Sequence, residues 1–278
     1  MNFNEIEEDV LQTGNLLFDE FSFSKYDIIY KHTNEYLKKL FNHFYFNSKD
    51  VLTVLASSDQ LFNILAKGTK NVDTFDINKL TKYFYYLRKW NIIYNKKYYL
   101  PEDLRGSFIH DLLDKVNVKT EKEKNAYCFW DKLTRTYPSF LVKRLFFNSS
   151  RIHKDNYCDV NDIYDKIINY NLDFKQMDIS DEINASKKYD YIITSNISEY
   201  FPDDYDRLVR YRDNLYKLLK DDGKVISSHL INNFVPYSER KVFKDKFDLY
   251  DLPMYLDSYS HNYYTSGYCY TKKDVNKK

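Results

Sequence analysis

The chain has 278 residues, enough to bury a full core as one large domain or as one domain with an insertion. Its 42 Lys and Arg balance 41 Asp and Glu, leaving a net charge of +1 that supplies no global field toward nucleic acid or anionic membrane. With 29 Tyr and 20 Phe against 5 Gly and 5 Pro, and with Lys, Asn and Ile abundant, the composition reads as AT-rich coding bias rather than functional aromatic enrichment.

In chain order, the spacing of Ile29, Tyr30, Tyr36, Leu37, Leu40 and Phe41 predicts an amphipathic helix within 26–44, inside an N-terminal helical segment 1–48. "VLTVLA" (51–56) predicts a strand covered on both faces. "DQLFNILAKGT" predicts a helix closed by Gly68, which tolerates positive φ. "NVDTFDI" is the second strand, and a helix follows from near Asn78. Between 95 and 168 four helical stretches and no convincing strand interrupt the alternation. Strands resume with "LDFKQMDIS", "KYDYIITSNIS" and "DDGKVISSHL", a helix "YDRLVRYRDNLYKLLK" lying between the last two. Two final runs, 241–253 and 263–273, suit antiparallel pairing. The expectation is an α/β fold: a Rossmann-like, mostly parallel seven-stranded sheet with helices on both faces. It would comprise residues 49–94 and 169–278, with 95–168 as a helical insertion shaping an acceptor pocket.

In such sheets ligands bind beyond the carboxyl ends of the strands. Asp76 ends the second strand, where a carboxylate can accept both hydroxyls of a ribose, and Asn78 is placed to cap the next helix in its stead. Asp178 ends the third strand on the adenine side, although capping competes as its role. Ser195 and Asn196 end the fourth. Ser57, Ser58, Asp59 and Gln60 form the first turn and lead into a helix N-terminus, which favours a carboxylate or phosphate; Asp59 also suits a plain cap. Neither G-x-G-x-x-G nor GK[ST] is present, so a dinucleotide or P-loop ligand is disfavoured. A phosphate-free adenosine ligand fits better, with S-adenosylmethionine foremost.

On these residues the chain resembles a family. Its order of elements is similar to the class I S-adenosylmethionine-dependent methyltransferase fold. "VLTVLASSDQLFNIL", "VDTFDIN", "YKHTNEY" and "YIITSNISEYF" resemble a bacterial group related to the diacylglyceryl 3-amino-3-carboxypropyl transferases. The resemblance covers 26–95 and 172–231 and implies cofactor contacts by Ser57, Ser58, Asp59, Gln60, Asp76, Asn78, Asp178 and Ser195. It also implies a position facing the reacting centre for Asn196. The glycine that this group carries between Ser58 and Asp59 is missing here.

Sulfonium chemistry is a displacement at an already activated carbon, so the protein supplies alignment and a route for the nucleophile's proton. Tyr30 and Glu199 are the candidate catalytic helpers beside Asn196, with Glu35 and Tyr200 next. The fourth strand ends in "SNIS" rather than an Asn/Asp-Pro-Pro-aromatic tetrapeptide, which lowers nucleobase amines as acceptors. The expected acceptor is a small molecule, lipid or peptide, without clear nucleic-acid binding; peripheral membrane contact stays open. Methyl transfer is favoured, 3-amino-3-carboxypropyl transfer is the alternative, and a non-catalytic binding protein is the reading from another class. Six histidines without ligand spacing, and three scattered cysteines, predict no metal site and no disulfide framework. The acidic N-terminus and the lack of a long apolar run predict a cytoplasmic protein.

Overall fold

The computed structural model describes residues 3–18, 28–33, 35–69, 71–147, 158–184, 186–229, 237–252 and 266–273. Seven strands form the central sheet: β1 (Asp50–Val54), β2 (Asn71–Asp76), β3 (Asp173–Gln176), β4 (Tyr189–Ser195), β5 (Leu219–His229), β6 (Phe247–Leu252) and β7 (Ser266–Lys272). Their order is β3-β2-β1-β4-β5-β7-β6, and β7 alone runs antiparallel to its neighbours. This is the mostly parallel Rossmann-like sheet expected from the sequence, including the antiparallel final pair.

The helices are α1 (Phe3–Phe18), α2 (Leu37–Phe41), α3 (Asp59–Ala66), α4 (Leu80–Asn95), α5 (Gly106–Leu113), α6 (Glu121–Thr136), α7 (Ser139–Val142), α8 (Val160–Asn169), α9 (Tyr205–Leu218) and α10 (Tyr237–Phe243). Alternate side chains of one strand enter different cores, as a pleat covered on both faces requires. Val51 and Leu55 pack with α1 to α4 and the 95–168 helices, while Leu52 and Val54 pack with α9 and α10. Gly68 has φ +88 beyond the end of α3, the terminating role its sequence position suggested. In 95–168, Thr120 caps α6 by accepting from the Glu123 N–H at 3.2 Å, and Trp130 donates its indole N–H to the Tyr83 carbonyl at 2.9 Å. That last bond anchors the inserted helices on α4.

The helix expected over 26–44 is not formed. Ile29–Tyr30 is a short strand paired in parallel with Phe146–Phe147, and among the described residues of this stretch helix appears only at Leu37–Phe41. The backbone here is satisfied by tertiary partners instead of by i−4 carbonyls. The Thr33 N–H donates to Asp59 at 2.7 Å, the Glu35 N–H to the Thr33 hydroxyl at 3.2 Å, and Asn78 bonds the Ile28 carbonyl at 3.4 Å. Residues 28–33, 35 and 36 therefore belong to a strap lying over the carboxyl edge of the sheet. The pairing with Phe146–Phe147 also places a two-residue strand in a stretch expected to be wholly helical.

Candidate functional site

A cavity of about 280 Å³ opens beyond the carboxyl ends of β1 to β4. β1 and β4 are neighbours here although the chain between them visits β2 and β3, so the cavity sits at the topological switch point. Its walls come from the strap, the turn after β1, the ends of β2, β3 and β4, and Arg207 of α9. None of the described residues of 95–168 is among them.

The turn after β1 is tight without glycine. Ala56 has φ 40 and Ser58 φ 71, and across the cavity Ser195 has φ 54. These are left-handed conformations that cost a side-chain-bearing residue about 1–3 kcal/mol each and persist only where surroundings impose them. Flanking this turn, Arg88 of α4, 1% exposed, is paired at 2.7 Å with Asp59, 0% exposed. The same guanidinium donates to the Ser57 carbonyl at 2.5 Å and lies over the rings of Phe62 and Tyr98. Asp59 further accepts from the Ser57 hydroxyl at 2.7 Å, the Tyr98 hydroxyl at 3.0 Å and the Thr33 N–H.

Asp59 is thus a buried ion-pair partner outside the cavity wall, which corrects its expected place as a cofactor contact. Ser58 is likewise 0% exposed and absent from the wall; its hydroxyl has no partner among the described residues. Both are turned inward because the left-handed turn swings Ser57 and Gln60, not their intervening neighbours, toward the cavity. Ser57 and Gln60 do line it.

Asp76 lines the cavity from the end of β2, 7% exposed. Its two oxygens accept the N–H groups of Ala56 at 2.8 Å and Asn78 at 2.9 Å. Burial nevertheless pushes its pKa up to about 6, against those hydrogen bonds. Asn78 caps α4 through Oδ1, accepting the Leu80 N–H at 2.9 Å, so the carboxylate is not consumed in capping. Each Asp76 oxygen therefore keeps lone-pair capacity for a hydroxyl.

Asp178 also lines the cavity, with one oxygen accepting from the Ser180 N–H and hydroxyl at 2.8 and 2.6 Å and the other from Arg207. Burial, which would raise its pKa, is outweighed by Ser180 and Arg207, and the carboxyl lies below its usual range. At the end of β4, Ser195 and Asn196 face the cavity, Ser195 donating to Asn196 at 3.3 Å. Asn196 in turn donates to Glu199 at 3.0 Å. Glu199, the expected catalytic helper beside Asn196, is 7% exposed and stands behind it, outside the cavity wall. Tyr30 and Tyr200 both line the cavity and hydrogen-bond each other, and burial raises the Tyr200 pKa.

Sequence reasoning missed Arg88, Arg207, His32 and Thr33. Arg88 carried a readable signal, since it falls at i+4 spacing between Phe84 and Ile92, both fully buried. Arg207, His32 and Thr33 reach the site only through tertiary packing. Among the described residues no group of three His, Cys, Asp or Glu side chains could hold a metal, and no helix is long and apolar enough to cross a membrane.

No family model and no curated protein matches the chain. Solved structures do. It is similar to a TehB-like S-adenosylmethionine-dependent methyltransferase from Corynebacterium glutamicum, with 11% identity over 98% of this chain and 100% of that one, TM-score 0.44. N-methyltransferase NodS from Bradyrhizobium japonicum WM9 aligns at 9% identity over 99% and 100%, TM-score 0.39. Magnesium protoporphyrin IX methyltransferase from Synechocystis PCC 6803, solved with S-adenosylmethionine bound, aligns at 10% over 98% and 85%, TM-score 0.38.

Ser58→Gly is expected to stabilise the fold by about 1 kcal/mol in urea unfolding, because it relieves the positive φ and removes an unpartnered buried hydroxyl. Arg88→Leu is expected to destabilise it by about 3–5 kcal/mol in the same measurement, because it leaves Asp59 buried without its counter-charge.

Proposed function

We propose that the protein is an S-adenosylmethionine-dependent methyltransferase. The observation that carries this reading is Asp76: a buried carboxylate at the end of β2, fixed by two backbone N–H groups and bordering the cavity with acceptor capacity left over. A vicinal diol, such as a ribose edge, is the group that complements two co-planar acceptor oxygens. Beside it, Met177 and Ile179 from the β3 end supply apolar walls for a flat base, and Asp178 stands at the rim with Arg207. The glycine-poor turn, with Ser57 and Gln60 facing inward, suits a ligand whose far end carries no phosphates.

When bound, the sulfonium cofactor supplies a methyl carbon already activated for displacement. The chain's own residues align the acceptor: Asn196 at the β4 end, held by Glu199, and the Tyr30–Tyr200 hydroxyl pair from the strap and the following loop. The acceptor is a small molecule, lipid or peptide. Transfer of the 3-amino-3-carboxypropyl group is the rival chemistry, suggested by the Ser57–Gln60 run. The released product separates them: S-adenosylhomocysteine for methyl transfer, methylthioadenosine for the rival.

Calorimetry with S-adenosylmethionine tests the reading, and absence of heat at millimolar ligand overturns it. Asp76→Ala is expected to lower affinity about a hundredfold, from two charge-assisted hydrogen bonds of about 1.5 kcal/mol each. Its thermal stability at neutral pH should stay close to that of the unmodified protein. The folded-state pKa is raised by about two units, so burial of the ionised group costs about 3 kcal/mol above pH 6. Removing that cost offsets the two N–H groups left without their acceptor. Acidification through pH 6 is expected to weaken binding of S-adenosylhomocysteine more in the unmodified protein than in Asp76→Ala, because Asp76 takes up a proton there.

A further inference from the structure

We infer that Glu35, acting through the side chain of Gln60, forms a receptor for an ammonium group of the ligand that fills the cavity. This rests on the S-adenosylmethionine reading, in which that group is the α-ammonium of the amino-acid tail.

Glu35 is 1% exposed and sits in the strap between α3 and the end of β5. One carboxyl oxygen accepts from the Ser228 hydroxyl, and the other from the Thr33 hydroxyl at 2.9 Å and from Gln60 Nε2. Every one of these donors is neutral. Three other acids of the chain are paired with cations: the buried Asp59 with Arg88, the buried Glu123 with Lys89 and the half-buried Asp178 with Arg207. Glu35 forms no ion pair among the described residues. Burial raises its pKa against the hydrogen bonds it receives, as expected of a carboxyl without a counter-charge.

Gln60 connects this group to the cavity. Its side chain lines the wall and is 1% exposed. The amide nitrogen is committed to Glu35, since the flipped amide would set two acceptors against each other. The amide oxygen is then left buried without a hydrogen-bond partner among the described residues. An amide whose N–H donates to a carboxylate is polarised, and its oxygen becomes a stronger acceptor. The site therefore presents an unsatisfied acceptor backed by an uncompensated buried acid. A neutral hydroxyl would satisfy the first of these and leave the second. An ammonium answers both, while a ligand carboxylate placed there would be repelled. The amino-acid tail accordingly enters amino group first, with its carboxylate turned away from Glu35.

The test compares affinity for S-adenosylhomocysteine with affinity for its analogue lacking the α-amino group, in the unmodified protein and in Glu35→Gln. The glutamine keeps the shape and can exchange hydrogen bonds with Ser228, Thr33 and Gln60; a thermal melt no lower than that of the unmodified protein shows that it folds. The expected result is at least a tenfold preference for the amino ligand, reduced to threefold or less in Glu35→Gln while affinity for the deamino analogue is unchanged. Gln60→Met should lose the preference in the same way, and it carries the test if Glu35→Gln fails to fold. Equal losses for both ligands, or a preference that survives both substitutions, overturn the inference. An unmodified protein that binds both ligands equally overturns it and leaves the cofactor reading intact. One that binds neither overturns both.

Discussion

The Arg88–Asp59 pair is the interaction on which the site depends. Two charges removed from water at 1% and 0% exposure are stable only when geometry and further hydrogen bonds compensate their desolvation. Here Asp59 collects four donors, and Arg88 adds the Ser57 carbonyl, the Tyr98 carbonyl at 3.3 Å and two aromatic faces. Those partners belong to the strap, the β1 turn, α4 and the segment entering the 95–168 helices. One ion pair thus joins four pieces of chain that are remote in sequence, and flanks the turn whose left-handed conformations glycine would otherwise supply.

Three carboxyls near the cavity show how environment separates chemically identical groups. Asp178 is opposed by Arg207 and Ser180 and stays below its usual pKa range. Asp76 is buried among neutral donors, the backbone N–H groups of Asn78 and Ala56 foremost, and burial raises it to about 6. Glu35 is enclosed among neutral side-chain donors and is raised as well. The three lie along the carboxyl edge of the sheet, at the ends of β3 and β2 and in the strap over β5. The gradient from compensated to uncompensated charge gives the cavity a direction, with the cation-seeking end at Gln60.

The strap makes the cavity a cavity. Without it the strand ends would be an open ledge. With it, Tyr30, His32 and Thr33 close one side. The strap is fastened at several points: the parallel pairing with Phe146–Phe147, the bonds of Lys31 to the Pro101 and Glu102 carbonyls, and the Thr33–Asp59 contact. The 95–168 region thereby contributes to the site by holding the strap, although none of its described residues faces the cavity.

The order of elements and the Asp76–Asn78 division of labour were legible because both are local: strand runs, a closing glycine, and an acid followed two residues later by a better cap. The Ser57–Gln60 run was legible as the turn between β1 and α3, but not which of its four side chains faces the cavity. That depends on φ at Ala56 and Ser58, whose neighbours Ser57 and Asp59 are held by Arg88, some thirty residues away. The strap read as a helix because its apolar spacing is helical, and spacing carries no information about a Thr33 N–H taken by Asp59. Sequence by itself determined the sheet and the acids at its strand ends, since pattern and propensity act over neighbouring residues. Only the tertiary structure decided which acids are compensated, because burial and counter-charge come from segments that meet solely in the folded chain.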